Sequence, residues 1–185
     1  MNFNTHYDLL GKHSFLSPSK HYWANWDEEK VETSFYNFMA SARGTRLHDF
    51  AAEAISLGIK LQGNKTTLSM YVNDAIGYSM TPEQPLYYSE NCFGHADAIS
   101  FKRNVLRVHD LKTGEITPGS MMQLKIYAAL FCLEYHVDPY SIRTELRIYQ
   151  FDDVAIEEPD PEEIEKIMTK IIVFDKKIQQ LRTEE

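Results

Sequence analysis

Cysteine is scarce in this chain of 185 residues: there are two, Cys92 and Cys132, too far apart to form a C-x-x-C pair. That excludes a disulfide framework and any zinc or iron–sulfur site built from four cysteines of one chain. Long apolar runs are also missing, since none approaches the ~18 residues a transmembrane helix needs. The N-terminal residues lack the apolar core of a secretory signal, so a cytoplasmic protein with no membrane partner is expected. Positive charge is in deficit, with 19 Lys and Arg against 27 Asp and Glu, a net of −8. Taken over the whole chain, that argues against nonspecific coating of nucleic acid. Repeats, low-complexity tracts and a dividing linker are absent too, so residues 1–185 read as a single domain.

What the chain does have is enough apolar content, 43% of residues, to bury a core at this length without a metal or disulfide staple. Its acidity is uneven. Residues 1–96 carry a net of −3, residues 97–150 a net of +1, and residues 151–185 a net of −6. Asp152 to Glu165 holds eight carboxylates and no base. This acidic segment suits a solvated loop leading into a helix start. The alternative is an acidic flap that mimics phosphate over a basic cleft.

Leu16-Ser17-Pro18-Ser19 predicts a helix entrance, with Ser17 as N-cap and Pro18 at the first helical position. The helix it opens would carry Tyr22, Trp23 and Trp26, which suit either base stacking or a core. Three- and four-residue apolar spacing predicts a helix over 34–57, with Gly58 as its C-cap. Residues 59–84 give no clear pattern; 68–72 fits a strand or a helical turn. Strands are predicted over 86–90, 93–101 and 105–112, a helix over 121–136, a strand over 143–151 and a final helix over 161–181. On the last strand Leu146, Ile148 and Phe151 are expected inside. The α–β–β–β–α–β–α order predicts an α/β domain around a mixed central sheet flanked by helices, with a C-terminal helix. Its core would span about 34–151, and the acidic loop and helix would fill 152–185.

The two middle strands carry the chemistry. A two-residue hairpin loop at Arg103-Asn104 sets Lys102 opposite Val105, Phe101 opposite Leu106 and Ile99 opposite Val108. In that register Asp97 falls opposite Asp110 on the same face, because side chains alternate with period two. Two carboxylates opposed at ~4.5–5.5 Å repel unless something compensates, and a hard divalent cation does so. Lys112, two residues on, points the same way. The other face offers Gly94, Ala96, Ala98 and Ser100, small enough for a helix to pack closely.

Asp97…Asp110-Leu111-Lys112 resembles the motif of the PD-(D/E)XK nuclease superfamily, an acid on one strand followed by Asp-X-Lys on the next. Gly44-Thr45-Arg46-Leu47-His48 resembles the Gly-x-x-x-His element of the RecB-like branch, which includes phage exonucleases. Gly94-x-x-Asp97 and Gln123-x-x-x-Tyr127 are similar to two further elements of that branch, and Leu16-Ser17-Pro18-Ser19 with Trp23 to the opening of its phage-type members. The resemblance spans roughly residues 15–150. It departs at His109, where proline is usual, and lacks the cysteines of the iron–sulfur members.

The resemblance implies a restriction-endonuclease-like core and hydrolysis of phosphodiester bonds in linear DNA by a metal-dependent exonuclease. Asp97, Asp110, His48 and the Leu111 carbonyl would hold one or two Mg²⁺ or Mn²⁺ ions, with no iron–sulfur cluster. Lys112 would orient water and stabilise charge on the phosphate, while Gln123 and Tyr127 would position the strand. The partner would be DNA, and a homo-oligomer or a recombination or replication protein is compatible with the branch. His95, opposite Lys112 in the hairpin register, is a further candidate for substrate contact. Glu53 points about 140° away from His48 around their helix and ranks low. Arg43, Arg46, Lys102, Arg103, Lys125, Arg143 and Arg147 are candidate phosphate contacts. Two alternatives stand beside the exonuclease: a nuclease-fold DNA-binding or assembly module, and a structure-selective endonuclease.

Overall fold

A computed structural model of the protein describes residues 14–62, 65–113 and 118–183. The chain forms two compact units, Met1–Thr45 and Arg46–Glu185. Among the described residues no helix is long and apolar enough to cross a membrane.

The first unit opens with a 3-10 segment, Pro18–Asn25, rather than an α-helix. Pro18 does sit in the first turn, but Ser17 makes no side-chain cap and the segment kinks at Lys20. The Ser17 carbonyl accepts both the Lys20 amide at 2.9 Å and the Trp23 indole N–H at 2.8 Å, which holds the turn in its tighter form. Helix α1, Glu28–Leu57, begins six residues before the predicted start. Asp27 caps it by accepting the Lys30 amide at 2.8 Å, and Glu28 and Glu29 favour its positive end.

The second unit is an α/β domain on a five-stranded mixed sheet in the order β1-β2-β3-β4-β5. The strands are β1 Thr81–Ser89, β2 Cys92–Lys102, β3 Val105–Leu111, β4 Arg143–Gln150 and β5 Asp153–Glu157. Only β3 and β4 run parallel, and α3, Pro118–Glu134, makes the crossover between them. The hairpin register is as predicted for Lys102 with Val105, Phe101 with Leu106 and Ile99 with Val108, but the paired ladder ends at Ala98–His109, short of the expected Asp97–Asp110 pair. Arg103 and Asn104 both take positive φ, 53° and 59°, which the tight hairpin turn requires.

Apolar clusters cover both faces of the sheet. On one, Leu106, Val108, Leu146 and Ile148 pack with Leu124 and Ala128 of α3 and Ile164 of α4, Pro161–Thr183. On the other, Ala98, Leu111 and Tyr149 pack with Ala51, Ala54 and Ile55 of α1 and with Tyr71, Val72 and Ala75 of α2, Thr67–Gly77. Each buried leucine, isoleucine or valine among them contributes roughly 1.5–3 kcal/mol on burial.

Three further parts of the chain differ from expectation. The unclear stretch contains α2 and the start of β1, with residues 63 and 64 outside those described. Phe151, expected inside, is 79% exposed, because it and Asp152 form the β4–β5 turn with φ of 49° and 57°. The acidic segment is not simply solvated loop: it forms edge strand β5 and the first turn of α4. Glu157 and Glu163 pair with Lys125, and Glu158 pairs with Arg143. Part of the C-terminal acidity is thus matched against bases of the central segment.

Candidate metal and hydrolytic site

Helix α1 and strands β1, β2 and β3 converge on a cluster of titratable groups. Ala51, Ala54 and Ile55 bury one face of α1, and His48 lies one turn before Ala51 on that face. Its Nδ1 stands 3.3 Å from Asp97 Oδ2. The same carboxylate oxygen accepts the Leu111 amide at 3.0 Å, which ties the middle of β2 to the end of β3. The Leu111 side chain meanwhile points into the second apolar cluster.

Asp97 occupies an irregular position. Ala96 belongs to the cluster on the α3 side and Ala98 to the cluster on the α2 side, although residues two apart on a regular strand share a face. The alternation therefore breaks at Asp97. On the neighbouring strand Glu83 lies between the pairs Pro82–Ala98 and Gln84–Ala96 and carries φ of 48°. The small-residue face predicted on β2 is accordingly divided. Gly94 and Ala96 serve α3, whereas Ala98 serves the opposite side.

Glu83 is the site residue that the sequence reading missed. His48, Glu83 and Asp97 each offer a ligand atom, and the three atoms lie within 4.8 Å of one another. One imidazole nitrogen with two carboxylates suits Mg²⁺ or Mn²⁺, and the imidazole favours the softer ion. Glu53, by contrast, is exposed on α1.

Asp110 is buried at the end of β3, 3% exposed. One of its oxygens accepts from Lys112 Nζ at 3.0 Å, while the other, Oδ2, is buried with no hydrogen-bond partner among the described residues. An ionised carboxylate only accepts, so a buried bare oxygen calls for a proton or a cation. Burial, and then the charge of Asp97, pushes the Asp110 pKa up to about 6. Asp97 is also raised, chiefly by burial, against the lowering effect of the Leu111 amide and His48. Tyr71 of α2, 2% exposed, feels the same negative charge: burial first, then Asp97, Glu83 and Asp110, raise its phenol far above the ordinary range.

A hydrogen-bonded chain runs outward from Asp110. Lys112 Nζ donates to Gln123 Oε1 at 3.2 Å, and Gln123 Nε2 donates to the Tyr127 hydroxyl at 3.3 Å. The i,i+4 spacing on α3 makes the second contact available. Tyr127 lies against Gly94, where an added Cβ would come 3.0 Å from its ring. The cluster thus brings together His48, Asp97, Asp110, Lys112, Gln123 and Tyr127, plus Glu83. Leu111 contributes its amide to Asp97.

Other candidates are occupied elsewhere or lie apart. His109 faces away from Asp110 and is fully buried, with Nδ1 3.2 Å from the Tyr149 hydroxyl. Burial, then Arg147 and Arg107, lower its pKa to about 3, so it is neutral. Glu145 holds both Arg107 and Arg147, the latter also bound to Asp74. Arg147 is therefore a structural cation. His95 is exposed, and the β2–β3 ladder ends at Ala98–His109, before the expected pairing of His95 with Lys112.

No protein-family model and no curated protein matches this chain.

Proposed function

We propose that the chain is a divalent-metal-dependent deoxyribonuclease with a restriction-endonuclease-like core, acting as an exonuclease on linear DNA. The observation that carries the reading is the buried Asp110 carboxylate. It shares one oxygen with Lys112 and leaves the other bare, beside a His48, Glu83 and Asp97 group with ligand spacing. A chain with no use for a cation would be expected to avoid so many acceptors at one place.

His48, Glu83, Asp97 and Asp110 fit one or two Mg²⁺ or Mn²⁺ ions. Bound there, such an ion supplies Lewis-acid polarisation of a phosphate and a lowered pKa for water. The protein's own groups do the rest. Lys112 is fixed by Asp110 and Gln123, which take two of its three N–H donors among the described residues. Its ammonium would orient the attacking water and stabilise negative charge on phosphate oxygens. Gln123, fixed between Lys112 and Tyr127, positions the strand. The net charge of −8 suits a local grip on a few phosphates better than a broad electrostatic footprint.

Linear and covalently closed circular DNA, incubated side by side with Mn²⁺ or with EDTA, test the reading. Metal-dependent loss of linear DNA alone supports the exonuclease. Nicking or opening of the circle would move the assignment to a structure-selective endonuclease. Retention of DNA without cleavage of either would leave a binding or assembly module.

A further inference from the structure

Both tryptophans of the chain, Trp23 and Trp26, lie in the first unit, and both line one pocket of about 460 Å³. Phe15, Tyr22 and Phe38 add aromatic walls, and Lys20 and Lys30 stand at the same pocket. Ser34 and Asn37 supply polar edges. Among the described residues no carboxylate lines it.

The rings pack on one another in tilted geometry, Tyr22 and Trp26 5.7 Å apart at 48° and Phe15 5.4 Å from Phe38 at 51°, so neither of these pairs is stacked face to face. Trp23 is fixed by its indole bond to the Ser17 carbonyl. Tyr22 is 54% exposed and Phe38 46%, unlike aromatics that serve only to fill a core. A partly exposed aromatic surface flanked by cations matches one chemistry well: planar heterocycles stacking on rings, with phosphates beside the ammonium groups.

We propose that this pocket stacks bases of single-stranded DNA, with Lys20 and Lys30 holding the adjoining phosphates. The proposal deepens the nuclease reading and rests on it for the choice of DNA as ligand.

Because every tryptophan of the protein lines the pocket, intrinsic fluorescence reports on it directly. The full chain is titrated in EDTA, where no metal-dependent cleavage occurs, with a short oligothymidylate and separately with a duplex of equal length. Saturable quenching by the single strand, weakening with salt and stronger than with the duplex, is the expected result. Tyr22→Ala should lower the affinity at least about fivefold, the loss of one stacked base. Lys20→Glu with Lys30→Glu, both at exposed positions, should weaken binding and flatten its salt dependence. No quenching, equal affinity in the variants, or equal quenching by the duplex would overturn the proposal. Quenching that rises with protein concentration and without DNA would overturn it too, by making a second copy of the chain the occupant. Cleavage assayed in parallel with Mn²⁺ separates the two readings. Quenching without cleavage leaves the stacking site and removes the nuclease, and cleavage without quenching does the reverse.

Discussion

Glu83 and Asp97 fall between the same two ladder pairs of β1 and β2, Pro82–Ala98 and Gln84–Ala96, at the place where β2 loses its regular alternation of faces. Two like charges across a ladder are destabilising on their own, and His48 Nδ1, 3.3 Å from Asp97, joins them. If that group holds a cation, Glu83→Gln should weaken Mn²⁺ binding at least tenfold, a change of about 1.4 kcal/mol, while the fold persists. Calorimetric titration of Mn²⁺ measures this. Glu53→Gln, five residues past His48 on the same helix and exposed, serves as the control and should leave binding unchanged.

Asp110 makes a prediction about pH with a definite sign. Its pKa rises from an ordinary 3.8 to about 6 on folding, so between those values the folded chain keeps a proton that the unfolded chain has released. Metal-free stability therefore falls as pH rises through about 4 to 6, and the full cost, on the order of 3 kcal/mol, persists above that window. Asp110→Asn cannot ionise and can still accept from Lys112. In EDTA at pH 7.5 it should melt higher than the wild type, by roughly 5–10 °C as an upper figure, and by much less at pH 4. Added Mn²⁺ should reverse the order by stabilising only the wild type. Calorimetric melting at the two pH values, with and without metal, checks both signs.

Gly94 lies where a methyl group would press on Tyr127. Gly94→Ala brings a carbon 3.0 Å from the Tyr127 ring, so the ring must move. The Gln123 amide and then Lys112 lose their fixed positions in turn. Cleavage should fall by ten- to a hundredfold, as for loss of an orienting contact around a metal site. Removing the ring as well, in Gly94→Ala with Tyr127→Ala, should give less than the sum of the two separate losses. Single-turnover kinetics on the three variants decides this.

On the sheet face covered by α2, Glu145 bonds Arg107 at 3.1 Å and Arg147 at 3.0 Å. Both guanidinium groups also lie over the Tyr78 ring, at 4.3 and 5.0 Å. Glu145→Ala leaves two neighbouring cations without their shared counter-charge and should cost about 3 kcal/mol or more. Urea unfolding measures that cost. Metal affinity of the folded fraction should not change.

The hairpin that carries Asp97 and Asp110 was legible because turn chemistry and two apolar pairs agree on one register. The i,i+4 relation of Gln123 and Tyr127 was legible for the same kind of reason, a periodicity that fixes geometry directly. Strand β1 was obscured by Pro82 and Pro85, which argue against a central strand but are tolerated at the sheet edge where β1 lies. Glu83 was lost with it. Helix α2 was obscured because its capping box uses Ser69, rather than Glu or Gln, to return the Thr66 contact. It is held from outside as well, since Asp152 in the β4–β5 turn accepts the Thr67 amide at 2.7 Å. No local pattern reveals a bond between residues so far apart in sequence. The same turn exposes Phe151, which strand alternation alone would have buried.

The central claim is that His48, Glu83, Asp97 and Asp110 form a divalent-cation centre at which Lys112 assists phosphodiester hydrolysis. End-labelled linear DNA, incubated with Mn²⁺ and either wild type or Asp110→Asn, tests it most directly, once melting has shown both to be folded. The account predicts progressive shortening of the labelled strand by the wild type, none in EDTA, and a loss of at least about a thousandfold in Asp110→Asn. Equal degradation by the two proteins, or no degradation by folded wild type with Mn²⁺ or Mg²⁺, would contradict it.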